Sequence, residues 1–126
     1  MKLDFIGITV ADMAESIRFY RLLGWEIQDP EPETDHHEVV LSNGLRVGFD
    51  TVEAIKQLYP DWEAPVGQRV GLAFLCESAS DVDAQFERIL EEGFEGGAKP
   101  WDAFWGQRYA QVRDPDGNLV DLFAPL

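Results

Sequence analysis

The strongest constraint on the fold of this 126-residue chain is an internal duplication. Phe5-Ile6-Gly7-Ile8 aligns with Gly71-Leu72-Ala73-Phe74. Arg18-Phe19-Tyr20-Arg21-Leu22-Leu23-Gly24-Trp25 aligns with Glu87-Arg88-Ile89-Leu90-Glu91-Glu92-Gly93-Phe94, and Ser42-Asn43-Gly44-Leu45 sits where Asp116-Gly117-Asn118-Leu119 sits. A repeat of about sixty residues is too long for a solenoid unit, so it points to a duplicated module.

The elements within each copy can be read from periodicity and punctuation. Leu3 to Val10 is rich in β-branched and aromatic residues and reads as a strand. Asp12, three residues before Glu15, has the spacing of a capping box, and Met13, Ile17, Tyr20 and Leu23 follow at helical spacing until Gly24. Trp25 to Gln28 is expected to begin a second strand. The acidic, proline-broken run 29–35 reads as a solvated loop. Glu38 to Leu41 and Leu45 to Asp50 are predicted strands joined at Ser42-Asn43-Gly44, and Val52 to Tyr59 a short helix stopped by Pro60. In the second copy the predicted elements are a strand over Arg69 to Cys76, a helix started by Ser80 and Asp83, and a strand near Phe94 to Trp101. The last two strands flank the Asp114-Pro115-Asp116-Gly117-Asn118 turn, whose residues suit a hairpin. The predicted class is α+β: two tandem βαβββ modules over 1–59 and 69–126, joined by a bridge over 60–68, in a single domain.

Composition narrows the setting. A hydrophobic fraction of 45%, with eight Phe, four Trp and three Tyr, argues against disorder. The single cysteine, Cys76, excludes an internal disulfide and fits a reducing compartment. Met1-Lys2-Leu3-Asp4 is not expected to open a signal peptide, and no apolar run approaches the length of a membrane span. The cytoplasm is the expected setting. A formal charge of −14 repels nucleic-acid phosphates and anionic lipids, so neither is an expected partner. The same charge favours solubility, or a preference for cationic ligands.

Together, Ile8-Thr9-Val10-Ala11-Asp12, Phe19-Tyr20, Leu23-Gly24-Trp25 and the Asp114-to-Asn118 turn resemble the vicinal oxygen chelate superfamily of glyoxalases, bleomycin resistance proteins and dioxygenases. The resemblance covers nearly the whole chain. It implies two βαβββ modules that curl their mixed sheet into a cup. In the metal enzymes of that superfamily, ligands lie on the first and last strands of each module. The corresponding positions here are Phe5, Gly48, Gly71 and Asp121. Only Asp121 has a ligand atom, and a protein-held divalent metal needs about three or more. No metal and no other cofactor is therefore expected, and the departure argues against glyoxalase and dioxygenase chemistry. His36 and His37 match no ligand position and read as a surface pair.

Strand alternation places the neighbours of those positions on the same face: Gly7, Thr9, Arg46, Gly48 and Asp50 in the first module, and Gly71, Ala73, Leu75, Leu119, Asp121 and Phe123 in the second. The small residues among them leave either room for a ligand or space filled by packing. Asp121 could pair with Arg46, anchor a cationic group, or act as a base. Cys76 reads as a small core residue on the opposite face. Trp101, Phe104, Trp105 and Tyr109 offer flat apolar surfaces suited to planar or cationic ligands. The Trp105-Gly106-Gln107-Arg108-Tyr109 run is similar to a Trp-Gly-x-Arg segment of the bleomycin resistance proteins, which lack the metal ligands as well and work as acidic homodimers. That likeness implies a homodimer that binds a small molecule through Phe5, Arg46, Trp101, Phe104, Trp105, Arg108, Tyr109 and Asp121, with no catalytic residue assigned. The alternative reading is a lyase, isomerase or dioxygenase-like enzyme of the same superfamily.

Overall fold

In the computed structural model, which describes residues 1–126, ten elements follow in order. They are β1 (Phe5–Val10), α1 (Met13–Leu22), β2 (His36–Val40), β3 (Arg46–Thr51), α2 (Val52–Leu58), β4 (Leu72–Leu75), α3 (Ala79–Glu91), β5 (Glu95–Ala103), β6 (Gln107–Arg113) and β7 (Leu119–Pro125). The chain divides into two units, Met1–Ala64 and Pro65–Leu126.

The first unit carries a three-stranded sheet in the order β1-β3-β2. β1 runs parallel to β3, whereas β2 and β3 form an antiparallel hairpin. Its turn closes as Ser42-Asn43-Gly44 predicts: Gly44 adopts φ +88° and its N–H donates to the Leu41 carbonyl at 2.8 Å. α1 starts where the Asp12 carboxylate accepts from the Glu15 N–H at 3.1 Å and ends at Gly24, φ +99°. Ile17, Phe19 and Tyr20 from this helix are buried with Val10, Val39, Val47 and Phe49 from the sheet. Tyr20 lies against Phe49 with ring centroids 5.6 Å apart, so α1 covers the Val47/Phe49 face.

Trp25 to Gln28 is not a strand, which corrects the βαβββ expectation for the first module. Its alternation is strand-like, but its backbone is satisfied without a ladder. The Arg21 guanidinium donates twice to the Ile27 carbonyl, at 2.9 and 2.6 Å, and His37 Nε2 contacts the Gln28 carbonyl at 2.8 Å. Trp25 meanwhile stacks on Tyr20 at 4.9 Å and 15°. A segment tied down by side chains has no need of a neighbouring strand.

The second unit is a full βαβββ module with strand order β4-β7-β6-β5. Its β6–β7 turn is held by Asp114, which is buried. One carboxylate oxygen accepts from the Asp116 and Asn118 N–H groups at 3.0 and 2.9 Å, and the other from Asn118 Nδ2 at 2.9 Å. β4 is shorter than predicted because Gln68 takes over the ladder. Its side-chain oxygen accepts from the Leu119 N–H at 2.7 Å, and its amide donates to the Leu119 carbonyl at 3.0 Å. α3 begins at Ala79, one residue before Ser80, with Ser78 as the N-cap accepting from the Asp81 N–H at 3.1 Å. Val82, Phe86 and Ile89 bury the helix face among Val112, Val120, Leu122 and Ala110.

Candidate functional site

Pairing register fixes which side chains share a face. In the second unit Ala73, Asp121, Gln111 and Ala98 form one rung of the sheet, and Leu75, Phe123, Tyr109 and Trp101 form the next rung on the same side. This side lies opposite the buried Leu122/Ala110/Val112 face that α3 covers. The second rung is a row of rings. Tyr109 stacks on Phe123 at 6.2 Å, meets Trp101 edge-on at 5.3 Å, and meets Trp105 edge-on at 5.3 Å. Phe104 adds a further edge-on contact with Trp105 at 5.1 Å.

Trp105 and Phe104 sit in the turn between β5 and β6, which Gly106 closes at φ +93°. Phe104 is 98% exposed and Trp105 49% exposed, and the Trp105 indole N–H donates to Gln107 Oε1 at 2.7 Å. Four of the predicted site residues, Trp101, Phe104, Trp105 and Tyr109, are thus brought together with Asp121.

Asp121 is the polar centre of this face. The Tyr109 hydroxyl donates to Oδ2 at 2.7 Å and Gln111 Nε2 donates to Oδ1 at 2.9 Å. Both donors come from β6. On the β4 side its rung neighbour is Ala73, which is exposed and adds no donor. A carboxylate has about four acceptor positions, so two partners leave capacity for a ligand N–H group. Burial, and the carboxylate beside it, push the Tyr109 phenol up to about 12, so it stays a neutral donor at ordinary pH. Gly97 lies at a bulge in β5, where an added Cβ would fall 2.5 Å from Leu119 Cδ2 and 3.2 Å from Gln111 Cβ. Only glycine lets β5 approach the Asp121 rung so closely.

Arg108 stands apart from this group. It alternates with Tyr109 and points to the helix side, where its guanidinium forks onto Asp83 of α3 at 2.9 and 3.0 Å and reaches Asp102 at 3.0 Å. The expected placement beside the aromatics is corrected: Arg108 joins α3 to the sheet. Arg46 has its ion partners within the first unit, Asp4 at 3.0 Å and Glu38 at 2.7 Å. Cys76 follows β4, half-buried, and burial pushes its thiol up, so it is a poor nucleophile.

In the first unit, Phe5, Gly7, Thr9, Arg46, Gly48 and Asp50 share a face with His36 and Glu38. The space at Gly48 is not open. A Cβ there would lie 2.4 and 2.6 Å from Phe5 ring carbons and 3.1 Å from His36 Cε1. Arg46 rests over the Phe5 ring, 5.2 Å from its centroid. His36, read from sequence as plain surface, is held between two carboxylates, Asp50 at 2.6 Å from Nδ1 and Glu38 at 2.7 Å from Nε2. Only the β2–β3 register reveals that encounter.

These positions do not fit a divalent metal. Phe5 and Gly48 offer no donor and fill one another's space, Gly71 has no side chain, and Asp121 is a single carboxylate with two hydrogen-bond donors already upon it. No group of three or more His, Cys, Asp or Glu side chains converges on one point. The Glu38 and Asp50 carboxylates lie on opposite nitrogens of the His36 ring and so do not share a centre.

A model of the Glyoxalase/Bleomycin resistance protein/Dioxygenase superfamily matches residues 2–122. The chain belongs to this superfamily. It is 28% identical over 130 residues, across the full length of both chains, to the uncharacterized protein YraH of Bacillus subtilis (strain 168). Among solved structures it is similar to a glyoxalase/bleomycin resistance protein/dioxygenase family enzyme from Burkholderia phytofirmans PsJN. That match has a TM-score of 0.83 at 20% identity and covers 100% of each chain. It is also similar to a glyoxalase-related enzyme from Fulvimarina pelagi, with a TM-score of 0.82 at 20% identity, covering 98% of this chain and 87% of that one. At such identities the likeness establishes the superfamily fold and leaves activity to the side chains. No helix is long and apolar enough to cross a membrane.

Proposed function

We propose that this superfamily member is a metal-free small-molecule-binding protein that sequesters a planar or cationic compound. The observation that carries the reading is the Asp121 carboxylate set beside a partly exposed row of rings, Phe123, Tyr109, Trp101 and Trp105, in the second unit. Flat rings accept a planar ligand, and their negative faces favour a cation. The remaining acceptor capacity of Asp121 supplies a polar anchor. A net charge of −14 draws cations toward the protein and raises their local concentration. In this reading the protein acts as a homodimer, which light scattering in solution would test.

The rival reading is a metal-free lyase or isomerase in which Asp121 removes a proton from the substrate. What favours it is that Asp121 is an ionisable group with hydrogen-bonded neighbours on an open face. A thermal-shift screen of planar and cationic compounds, followed by tryptophan-fluorescence titration of the hits, separates the two. Binding without turnover supports sequestration. Trp105→Ala is expected to weaken the hits about tenfold, the loss of roughly 1.4 kcal/mol of ring contact, at unchanged Tm. Full affinity in that variant for every hit would remove the aromatic basis of the proposal, and chemical conversion of a hit would favour the enzyme.

A further inference from the structure

The sheet face of the first unit that carries Phe5 and Gly48 holds an arrangement that the binding proposal does not use. His36 on β2 is bonded at both ring nitrogens, by Asp50 from β3 at 2.6 Å and by Glu38 from its own strand at 2.7 Å. The second oxygen of Glu38 accepts from Arg46 at 2.7 Å, and Arg46 continues to Asp4 beside β1 at 3.0 Å. The chain Asp50–His36–Glu38–Arg46–Asp4 thus crosses all three strands of the sheet. Phe5 lies within it, stacked on His36 at 6.3 Å and 24° and capped by Arg46. Gly48 is the floor beneath both rings.

An imidazole that faces a carboxylate at each nitrogen must carry two protons, because a carboxylate only accepts. The neutral ring has one N–H, so one of the two contacts then sets a lone pair against an anion. From these contacts we infer that His36 is a proton-operated latch on the first unit: protonated, it ties β2 to β3 and pins the Phe5 ring over Gly48; deprotonated, it releases one carboxylate and frees the ring.

The charged groups facing the imidazole are Asp50 and Arg46 from β3, Glu38 from β2 and Asp4 beside β1, while Thr34 Oγ1 touches the His36 backbone. Protonated, the group Asp4, His36, Glu38, Arg46 and Asp50 sums to −1, and deprotonation takes it to −2. The two flanking carboxylates raise the His36 pKa above 6.5, and the His36 contact lowers that of Glu38 below 4.5. A raised histidine stabilises fully below 6.5 and loses its effect as pH climbs through its folded value. A depressed carboxylate stabilises fully above 4.5 and loses its effect as pH falls through its folded value. The contacts therefore contribute their full stabilisation between about 4.5 and 6.5, and the latch opens on the alkaline side as pH climbs through the raised folded value of His36.

The test is an NMR titration of the histidine and phenylalanine ring resonances of the intact protein from pH 5 to 9, repeated in His36→Gln and His37→Gln. The expected result is a His36 midpoint above 6.5, with the Phe5 ring signals moving at the same midpoint. That coupled step is lost in His36→Gln and kept in His37→Gln. A His36 midpoint at or below 6.5, or Phe5 signals that ignore it, overturns the latch. Should His36→Gln misfold, the wild-type and His37→Gln titrations decide the question alone.

Discussion

Gly48→Ala tests whether the first unit's face is filled or open. A new Cβ would lie 2.4 and 2.6 Å from the Phe5 ring, closer than Cβ atoms approach other heavy atoms, and 3.1 Å from His36 Cε1. The ring must swing away and lose its stack with His36 and its contact with Arg46. Overpacking of this kind costs about 1–3 kcal/mol, while Gly→Ala returns about 0.4–1 kcal/mol by restricting the unfolded chain. The net expectation is a loss of roughly 0.5–2 kcal/mol, a fall in Tm of several degrees for a chain of this size. The assay is thermal unfolding of a double-mutant cycle with Phe5→Ala. Without the ring, the alanine meets only the His36 edge, so Gly48→Ala becomes neutral or stabilising and the coupling is about 1–3 kcal/mol, the overpacking cost itself. If Gly48→Ala cost the same in both backgrounds, Phe5 would not be what fills this space.

Three further outcomes follow from the second unit. Asp114→Ala leaves the Asp116 and Asn118 N–H groups without their acceptor at a buried turn, and chemical denaturation is expected to register a loss of about 2–3 kcal/mol. The Tyr109 phenol is raised to about 12, so its stabilising effect is complete below pH 10 and is lost between pH 10 and 12. In an ultraviolet titration, Tyr109→Phe should remove a tyrosinate component near pH 12 and flatten stability across that range. Arg108→Lys exchanges a two-toothed contact with Asp83 for a single one. It is expected to lower Tm and to cost the screening hits less affinity than Trp105→Ala does, the reverse ranking of the two variants.

What the sequence disclosed, and what it withheld, divides along contact range. The Asp12 cap, the glycines after α1 and α3, and the hairpin at Asp114 to Asn118 act over a few residues, and they stand where local chemistry puts them. The missing strand at Trp25 to Gln28 depended on Arg21 and His37 reaching its carbonyls, a choice that alternation does not encode. Ser78 could have been found: its hydroxyl stands three residues before Asp81, the spacing of an N-terminal cap, but Ser80 offered a competing start. His36 was out of reach, because its partner Asp50 lies across a register that no local motif specifies.

Arg108 shows how a segment likeness can mislead about a site. Trp105, Gln107, Tyr109 and Arg108 are adjacent in sequence, yet period-two alternation forces Arg108 to the other side of β6 from Tyr109. Tyr109 orients Asp121 and carries the ring row, whereas Arg108 anchors that strand to α3 through Asp83. The Asp121 face thus stands on a strand locked from behind, so Tyr109 and Gln111 hold the carboxylate without first being ordered by a ligand. A site ordered in advance spares its ligand that entropy cost, and such economy suits sequestration, where affinity is the whole of the task.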